Sequence, residues 1–389
     1  MSLLSLPVEL RCNIYDAFLA IHTHVWYREQ PSNTHLRLLL VSKQIHAEAT
    51  HILSRYISLL HERQIVAFVK SSADFTRVTH ADVANDGRLV QLHTCASQEG
   101  ELHPLSQLHV ALSLLSSLQH LRVFECRQGV PFHGSTASRL TLQSELAMFP
   151  AQSCPTLLTY ELMLFPGTRA RPFSILPSTS LRTLRLSGDC LLPASTPLPH
   201  LTHLSLHGVD GNFFDRHAFT ECFPAMSRLE TFSYALLTKT GFELRNVHLE
   251  SLVQASGSSL RKLVLIDCNR LTSTTIAHCL ASMPNLEYFA LSLITVEELH
   301  TNFLTSLPSP IRVLKLKVVN AWYAVALQRE EKMLCDTIEV LLRTTPFSYV
   351  ALNLRASVIE GQRADTLKQI AQTQGISLSI GPWETDEHI

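Results

Sequence analysis

The sequence predicts an α/β chain in which a short helical module precedes a stack of parallel strands with helices behind them, and three observations predict it. A unit of the form Leu-x-x-Leu-x-Leu recurs along most of the chain. Stretches with apolar residues three and four apart fall between its copies, as helices would. The first 57 residues carry only the second pattern.

The helical module comes first. Pro7 suits the opening of a helix, where its missing N–H has no intrahelical partner and its φ is already helical. Glu9 follows in the first turn, where a carboxylate meets unpaired N–H groups and the positive end of the helix dipole. Leu6, Leu10, Ile14, Ala17, Phe18 and Ile21 then recur at intervals of three and four, which places them on one helix face and predicts that this face is buried. Leu38, Val41, Ile45, Ala49, Ile52 and Tyr56 repeat the pattern in a second helix, with Lys43, Gln44, Glu48 and Arg55 mostly opposite. The polar turn Pro31-Ser32-Asn33-Thr34 joins the two, so that each helix can cover the other.

The strand pattern is cleanest from Leu181 onward. Leu181-x-x-Leu184-x-Leu186, Leu201-x-x-Leu204-x-Leu206, Leu229-x-x-Phe232-x-Tyr234, Leu260-x-x-Leu263-x-Leu265, Leu286-x-x-Phe289-x-Leu291 and Ile311-x-x-Leu314-x-Leu316 follow one another. Looser copies stand at Leu118-x-x-Leu121-x-Val123 and Phe347-x-x-Val350-x-Leu352. Alternation within each copy predicts a short strand that turns every second side chain inward, with the leading residue packed beneath it. From 181 to 347 the starts are spaced by 20, 28, 31, 26, 25 and 36 residues. One unit cannot bury its own apolar face, so the units have to stack.

Between the copies, residues 274–283 read as a helix closed by Pro284-Asn285, and residues 219–229 and 361–375 follow the same plan. Residues 187–199 read as an edge loop. From 58 to 172 the phase is less readable: residues 64–70 and 88–93 read as strands and 107–118 as an amphipathic helix. Residues 376–380 form a final strand, after which Trp383 and an acidic tail close the last repeat.

The same register names the outward positions. They are Thr183, Arg185 and Ser187; His203, Ser205 and His207; Thr231 and Ser233; Lys262, Val264 and Ile266; Tyr288, Ala290 and Ser292; Val313, Lys315 and Lys317. Arg185, His203, Ser205, His207, Lys262, Val264, Tyr288, Lys315 and Lys317 are the candidate target-binding residues. A neutral-to-basic face with an aromatic near its centre suits a protein or peptide of modest negative charge, since aromatic and Arg anchors carry much interface energy. Each of these residues, taken singly, also reads as a solvated strand position.

Composition narrows the function classes. With 46% hydrophobic and 17% charged residues the chain buries a large core and is not disordered. A formal net charge of -1 argues against a nucleic-acid binder. Glu9 and Arg11 interrupt the first apolar run, so no signal peptide is read, and no apolar run is long enough to span a membrane. Nine scattered cysteines with no Cys-x-x-Cys pair, and no Asn-x-Ser/Thr site, point to the reduced cytoplasm or nucleus.

The search for chemistry returns little. His22 and His24 stand close together, and His46 and His51 lie five apart, about 140° around a helix, which is not the one-face spacing of a metal pair. His203 and His207 flank Ser205, with no acid placed to orient either of them. No nucleophile elbow or phosphate loop occurs. Asp336, Glu339 and Glu330-Glu331 look like a solvated helix face. The expectation is a chain with no catalytic residues, no metal and no cofactor.

Two resemblances add to this reading. Leu6, Pro7, Glu9, Leu10 and Ile14, followed by Leu40, Val41, Ser42, Lys43 and Ile45, resemble an F-box over about the first 55 residues. The repeated unit resembles a degenerate leucine-rich repeat. Two features depart from the usual F-box: residues 21–35 form a longer segment, and Ile45 stands where an aromatic is common. The resemblance implies an F-box-like module at 1–57, a linking and capping region with early irregular repeats at 58–172, and a repeat array with a C-terminal cap at 173–389. In that array the strands would line a concave face and the helices a convex one. It further implies that Leu6, Pro7, Leu10, Ile14, Val41 and Ile45 bind a Skp-family adaptor, and through it a cullin, or build the core behind that contact. The repeats would bind a protein to be ubiquitylated, as in the diverged fungal substrate adaptors of SCF-type ligases to which the chain is similar. The alternative is a repeat scaffold whose degenerate F-box has no ubiquitin role.

Overall fold

The computed structural model describes residues 3–23, 31–71, 74–92, 101–125, 139–151, 154–193, 196–217, 219–223, 226–238, 241–295, 299–320, 328–354, 359 and 361–387. The chain is α/β, and it groups into two compact units, Met1–Leu181 with Leu191–Pro193, and Arg182–Cys190 with Ala194–Ile389.

The first unit opens with a 3-10 turn (Leu3–Ser5), helix α1 (Val8–Thr23), a 3-10 segment (Thr34–Leu40) and helix α2 (Lys43–Leu53). Ser42 is extended, and its hydroxyl accepts the N–H of Ile45 at 3.1 Å, which caps α2. The helices pack on each other, but α1 does so on a different face from the one its apolar spacing predicts. It buries Arg11, Tyr15 and Leu19, while Leu10, Ile14, Ala17, Phe18 and Ile21 face solvent. Tyr15 and Leu19 fill the space over Ile45, Ala49, Ile52, Leu53 and Tyr56, and Arg11 reaches Glu48 on α2. Two large side chains and one ion pair therefore decide which side turns inward, and the apolar count on the other side does not. In the second segment Ile45, Ala49 and Ile52 are buried as expected, Val41 is exposed, and Tyr56 opens a strand.

The unit continues with β1 (Tyr56–Leu59), α3 (Glu62–Lys70), β2 (His80–Asn85), β3 (Arg88–Leu92), β4 (Glu101–Pro104) and α4 (Leu108–Ser113). Then follow β5 (His120–Glu125), β6 (Arg139–Leu142), α5 (Ser144–Met148), β7 (Thr159–Met163) and β8 (Arg169–Ala170). Strands β1, β2, β5 and β7 run parallel in that order, while β4, β3 and β6 make a small antiparallel sheet. Residues 64–70 are thus helix and not strand. The Gln64 amide oxygen accepts the N–H groups of Leu60 and His61 at 3.0 and 3.2 Å, and Ile65 and Phe68 share the buried face. Residues 88–92 are the expected strand, and the helix expected over 107–118 is confined to α4. Asn33 guards the free edge of β1: its side chain donates to the Ser58 carbonyl and accepts the Ser58 N–H, both at 2.7 Å.

The second unit holds β9 (Thr183–Cys190), β10 (His203–Val209), α6 (Gly211–Phe214), α7 (Phe219–Cys222), β11 (Thr231–Ala235), α8 (Asn246–Ser256) and β12 (Lys262–Cys268). It goes on with α9 (Ser273–Ala281), β13 (Tyr288–Thr295), β14 (Val313–Asn320), α10 (Gln328–Thr344), β15 (Tyr349–Asn353), a helix at Gln362–Thr373 and β16 (Ser377–Ile380). Strands β9 to β16 pair in sequence order, all parallel. Leu184, Leu204, Phe232, Leu263, Phe289, Leu314 and Val350 stack in register as one fully buried row, each at the second leucine of its unit. Strand β9 runs to Cys190, through the start of the expected edge loop, and the helix expected from 219 ends at Cys222. Glu331, placed from the sequence on a solvated helix face, is buried.

One backbone device sets the register in both units. In most of the parallel pairings the carbonyl just before one strand accepts two successive N–H groups at the start of its neighbour, as Arg182 does from Thr202 and His203, and Arg261 from Glu287 and Tyr288. In the first unit Arg55 takes Thr79 and His80, Thr79 takes Gln119 and His120, and Gln119 takes Leu158 and Thr159. Val78-x-x-Ala81-x-Val83 and Leu157-x-x-Tyr160-x-Leu162 are therefore further copies of the repeated unit, concealed because Val, Ala and Tyr stand in for leucine.

Candidate interaction surfaces

Two surfaces carry the residues singled out from the sequence, one in each unit. The first is the outer side of α1. At about 100° per residue, Leu10, Ile14, Ala17, Phe18 and Ile21 fall within an arc of about 100°. All five are exposed, Ile21 to 68% and Leu10 to 50%. On the inner side the buried Arg11 guanidinium donates to Glu48 at 2.8 and 2.6 Å, and to the carbonyls of Leu4 at 3.4 Å and of Leu6. This fork, with the Gln44 amide at 3.0 Å, pulls the Glu48 carboxyl down to about 2. Arg11 thereby fastens the turn before α1 to α2. The module closes its core without the outer stripe.

The other candidate adaptor contacts divide between surface and core. Leu6 is half-buried and Pro7 exposed. Leu40 and Val41, at the lead-in to α2, are exposed to 84% and 67%. Ile45 lies in the module core beside Tyr15, so it supports the surface from behind instead of forming it.

The second surface is the outward face of β11 to β15. Ala235, Val264, Ile266, Ala290 and Ala351 form an apolar cluster there, with Tyr288 and Tyr349 at its margin. This face is covered, contrary to the solvent-facing surface expected for Val264, Tyr288 and Lys315. Trp383 sits on the cluster with 1% of its surface exposed. It belongs to residues 381–387, which leave β16 at Gly381, whose φ of 139° disfavours any side chain. The Gly381 N–H donates to the Leu352 carbonyl at 2.9 Å.

Acidic residues of that segment meet the predicted lysines. Glu387 lies 2.6 Å from Lys315 Nζ and 3.6 Å from Lys262 Nζ, and it accepts the Tyr288 hydroxyl. Glu384 lies 2.9 Å from Lys317 Nζ and accepts the Asn353 amide at 2.8 Å. Lys262 Nζ stands 4.3 Å from the Tyr288 ring centre, and Lys315 Nζ stands 5.8, 5.6 and 5.9 Å from the rings of Tyr288, Tyr349 and Trp383. Burial alone would raise both carboxyls. Lys262, Lys315 and Tyr288 around Glu387, and Lys317, Asn353 and the Trp383 N–H around Glu384, reverse the shift and hold both below the ordinary value. Burial opposes the charge on Lys317 as well, but Glu384 and Asp267 outweigh it and raise its pKa.

Four predicted residues lie elsewhere on this face. Arg185, His203, Ser205 and His207 are on β9 and β10, with β11 between them and the strand of Lys262. His207 is buried and pairs with the Ser233 hydroxyl at 2.7 Å; His203 is exposed. Sequence reasoning missed Trp383, Glu384 and Glu387 as part of the site, and with them Asp267. Asp267 adopts a left-handed φ of 54° at an irregularity in β12, which brings its carboxylate to Ser292 at 2.8 Å and Lys317 at 3.5 Å. A usable signal was present: lysines at 262, 315 and 317 repeat on one face, and the acids at 384 and 387 oppose them in charge.

Among the described residues no group of three or more His, Cys, Asp or Glu is placed to hold a metal ion, and no helix is long and apolar enough to cross a membrane. Cys190, Cys222, Cys268, Cys279 and Cys335 are free and buried, and burial pushes their thiols up, that of Cys190 to about 12. These are packing residues, poor as nucleophiles. No protein-family model matches the chain, and no curated protein is significantly similar to it.

Proposed function

We propose that the protein is a substrate-recognition adaptor of a cullin–RING ubiquitin ligase. Its N-terminal helices act as an F-box that docks onto a Skp-family adaptor, and its stacked strands, read as a leucine-rich-repeat solenoid, hold a target protein. The observation that carries this is the outer stripe of α1, large apolar side chains left in solvent by a module whose own core is already closed. An apolar helix face of this kind is what a partner groove takes up. The strand array supports the second half, since parallel ladders present long rows of outward side chains to another chain. On this reading the protein raises the effective concentration of a target near a conjugating enzyme and performs no chemistry itself.

Purified chain and purified Skp-family adaptor test it directly. Wild type is expected to bind, and Leu10→Ala, Ile14→Ala and Phe18→Ala combined to weaken binding at least 100-fold while leaving the circular dichroism spectrum unchanged. Equal binding by the two proteins would sink the ligase reading. No binding by either would leave the alternative, a repeat scaffold with no ubiquitin role.

A further inference from the structure

The outward strand face singled out from the sequence is covered by a segment of the same chain. Residues 381–387 lie across β12 to β15 with one aromatic side chain on the apolar cluster and two carboxylates on three lysines. Their attachment differs from that of every strand beside them. Past Gly381, no backbone hydrogen bond from residues 382–387 to a strand occurs among the described residues; the anchors are the side chains of Trp383, Glu384 and Glu387. The fit is also incomplete, because the buried Trp383 indole Nε1–H has no acceptor. Removing the segment would return Lys262, Lys315 and Lys317 to water with their charges solvated, which offsets part of the cost of exposing the small apolar cluster beneath.

We propose that this face is a binding site for an acidic peptide segment carrying an aromatic anchor, and that residues 381–387 are its built-in occupant, displaced when such a segment arrives. The inference rests on the reading of the strand face as the target site. Its test contains no Skp-family adaptor, so its failure and the failure of F-box docking are separate results. The occupant states the recognition chemistry: an indole or phenyl ring over Ala290 and Ala351, one carboxylate for Lys317, and a second, three residues on, for Lys315 and Lys262. Because the occupant is tethered, it competes at an effective concentration of about millimolar. A target therefore engages weakly until it supplies additional contacts or the tether is loosened.

The experiment uses full chain and a fluorescein-labelled heptapeptide of the sequence of residues 381–387, read by anisotropy. Trp383→Ala, Glu384→Gln and Glu387→Gln combined should bind it at least tenfold more tightly than wild type. Adding Lys315→Glu and Lys317→Glu to that variant should abolish the gain. Equal or weaker binding by the folded opened variant overturns the proposal, as does equal binding of a peptide with alanine at the aromatic position. Should the opened variant not fold, Trp26→Phe with Trp322→Phe leaves Trp383 as the sole tryptophan of an otherwise native face. Unlabelled peptide with phenylalanine in place of tryptophan, at 10 millimolar, should then expose Trp383 to acrylamide and raise its quenching at least twofold. Unchanged quenching would mean that the segment is a fixed part of the fold. A concentration-dependent dimer in sedimentation, with the segment exchanged between copies, would overturn the proposal in favour of a second chain as occupant.

Discussion

The outer side of α1 and the outward face of β12 to β15 are both apolar surfaces on secondary structure that is already complete, yet one is bare and the other is covered. On α1, Leu10, Ile14, Phe18 and Ile21 stand in solvent; on the strands, Val264, Ile266, Ala290 and Ala351 are fully buried beneath Trp383. The difference lies in charge. Three lysines border the strand cluster, and two glutamates pair with them and bring a tryptophan onto it. A bare surface is ready for a partner, and a covered one has a threshold to cross first.

The comparison can be broken most sharply in the cores behind the two surfaces. Tyr15→Ala and Ile14→Ala alter neighbouring residues about 100° apart around α1, the first buried and the second exposed. Tyr15 is wholly buried, so its truncation should cost about 3–5 kcal/mol, while Ile14→Ala should stay within about 0.5 kcal/mol, both read by urea unfolding. Equal costs would mean that the helix is turned the other way.

An effect of similar size belongs to the strand face of the first unit, which is closed by an ion pair. Arg122 donates to both oxygens of Asp82 at 2.6 and 2.7 Å, and the Tyr56 hydroxyl adds a third hydrogen bond at 2.7 Å. Arg122→Ala leaves Asp82, 2% exposed, without its counter-charge and should cost about 3–5 kcal/mol. Double replacement of Arg122 and Asp82 by Met and Leu should recover most of that loss in thermal unfolding.

Next in size is the covering segment itself. Phe289→Ala, in the inner row, should cost about 3–5 kcal/mol. Trp383→Ala should cost about 1–2 kcal/mol despite equal burial, because the segment can swing away and let the lysines rehydrate, with no cavity left behind. Hydrogen exchange around residues 381–387 should rise in this variant while the inner strands keep their protection.

The smallest effect is that of acid, and it separates the two units by pH window. Burial pulls His35 and His80 down from 6.5 to about 4. Their neutral forms are favoured in the fold, so the first unit keeps this contribution above 6.5 and loses it as pH falls towards 4. Glu384 and Glu387 titrate below their ordinary 4.5, so the pairing with Lys262, Lys315 and Lys317 is intact above that value and is lost only as pH falls further. Trp383 emission should therefore hold steady across the range in which the first unit weakens.

Legibility in the sequence followed the physics of each element. The strand register from 183 to 353 could be read in advance because a period-2 alternation with a leading leucine has one sterically sensible meaning, and the stacked Leu184, Leu204, Phe232, Leu263, Phe289 and Leu314 realise it. The copies at Val78 and Leu157 were hidden because the same positions accept Ala and Tyr when neighbouring strands adjust. Helix α3 was misread because Val66, Phe68 and Ile65 favour strands locally, and a single glutamine cap decided the matter.

By itself, then, the sequence determined an α/β chain, the order and register of its principal strands, and the list of residues that face outward from them, since these follow from local periodicity and from the need to bury leucines by stacking. Only the tertiary structure decided which face of α1 turns inward and what lies on the outward strand face. Both outcomes depend on pairs far apart in the chain, Arg11 with Glu48 and Lys315 with Glu387, whose attraction acts only once folding has brought them within hydrogen-bond distance.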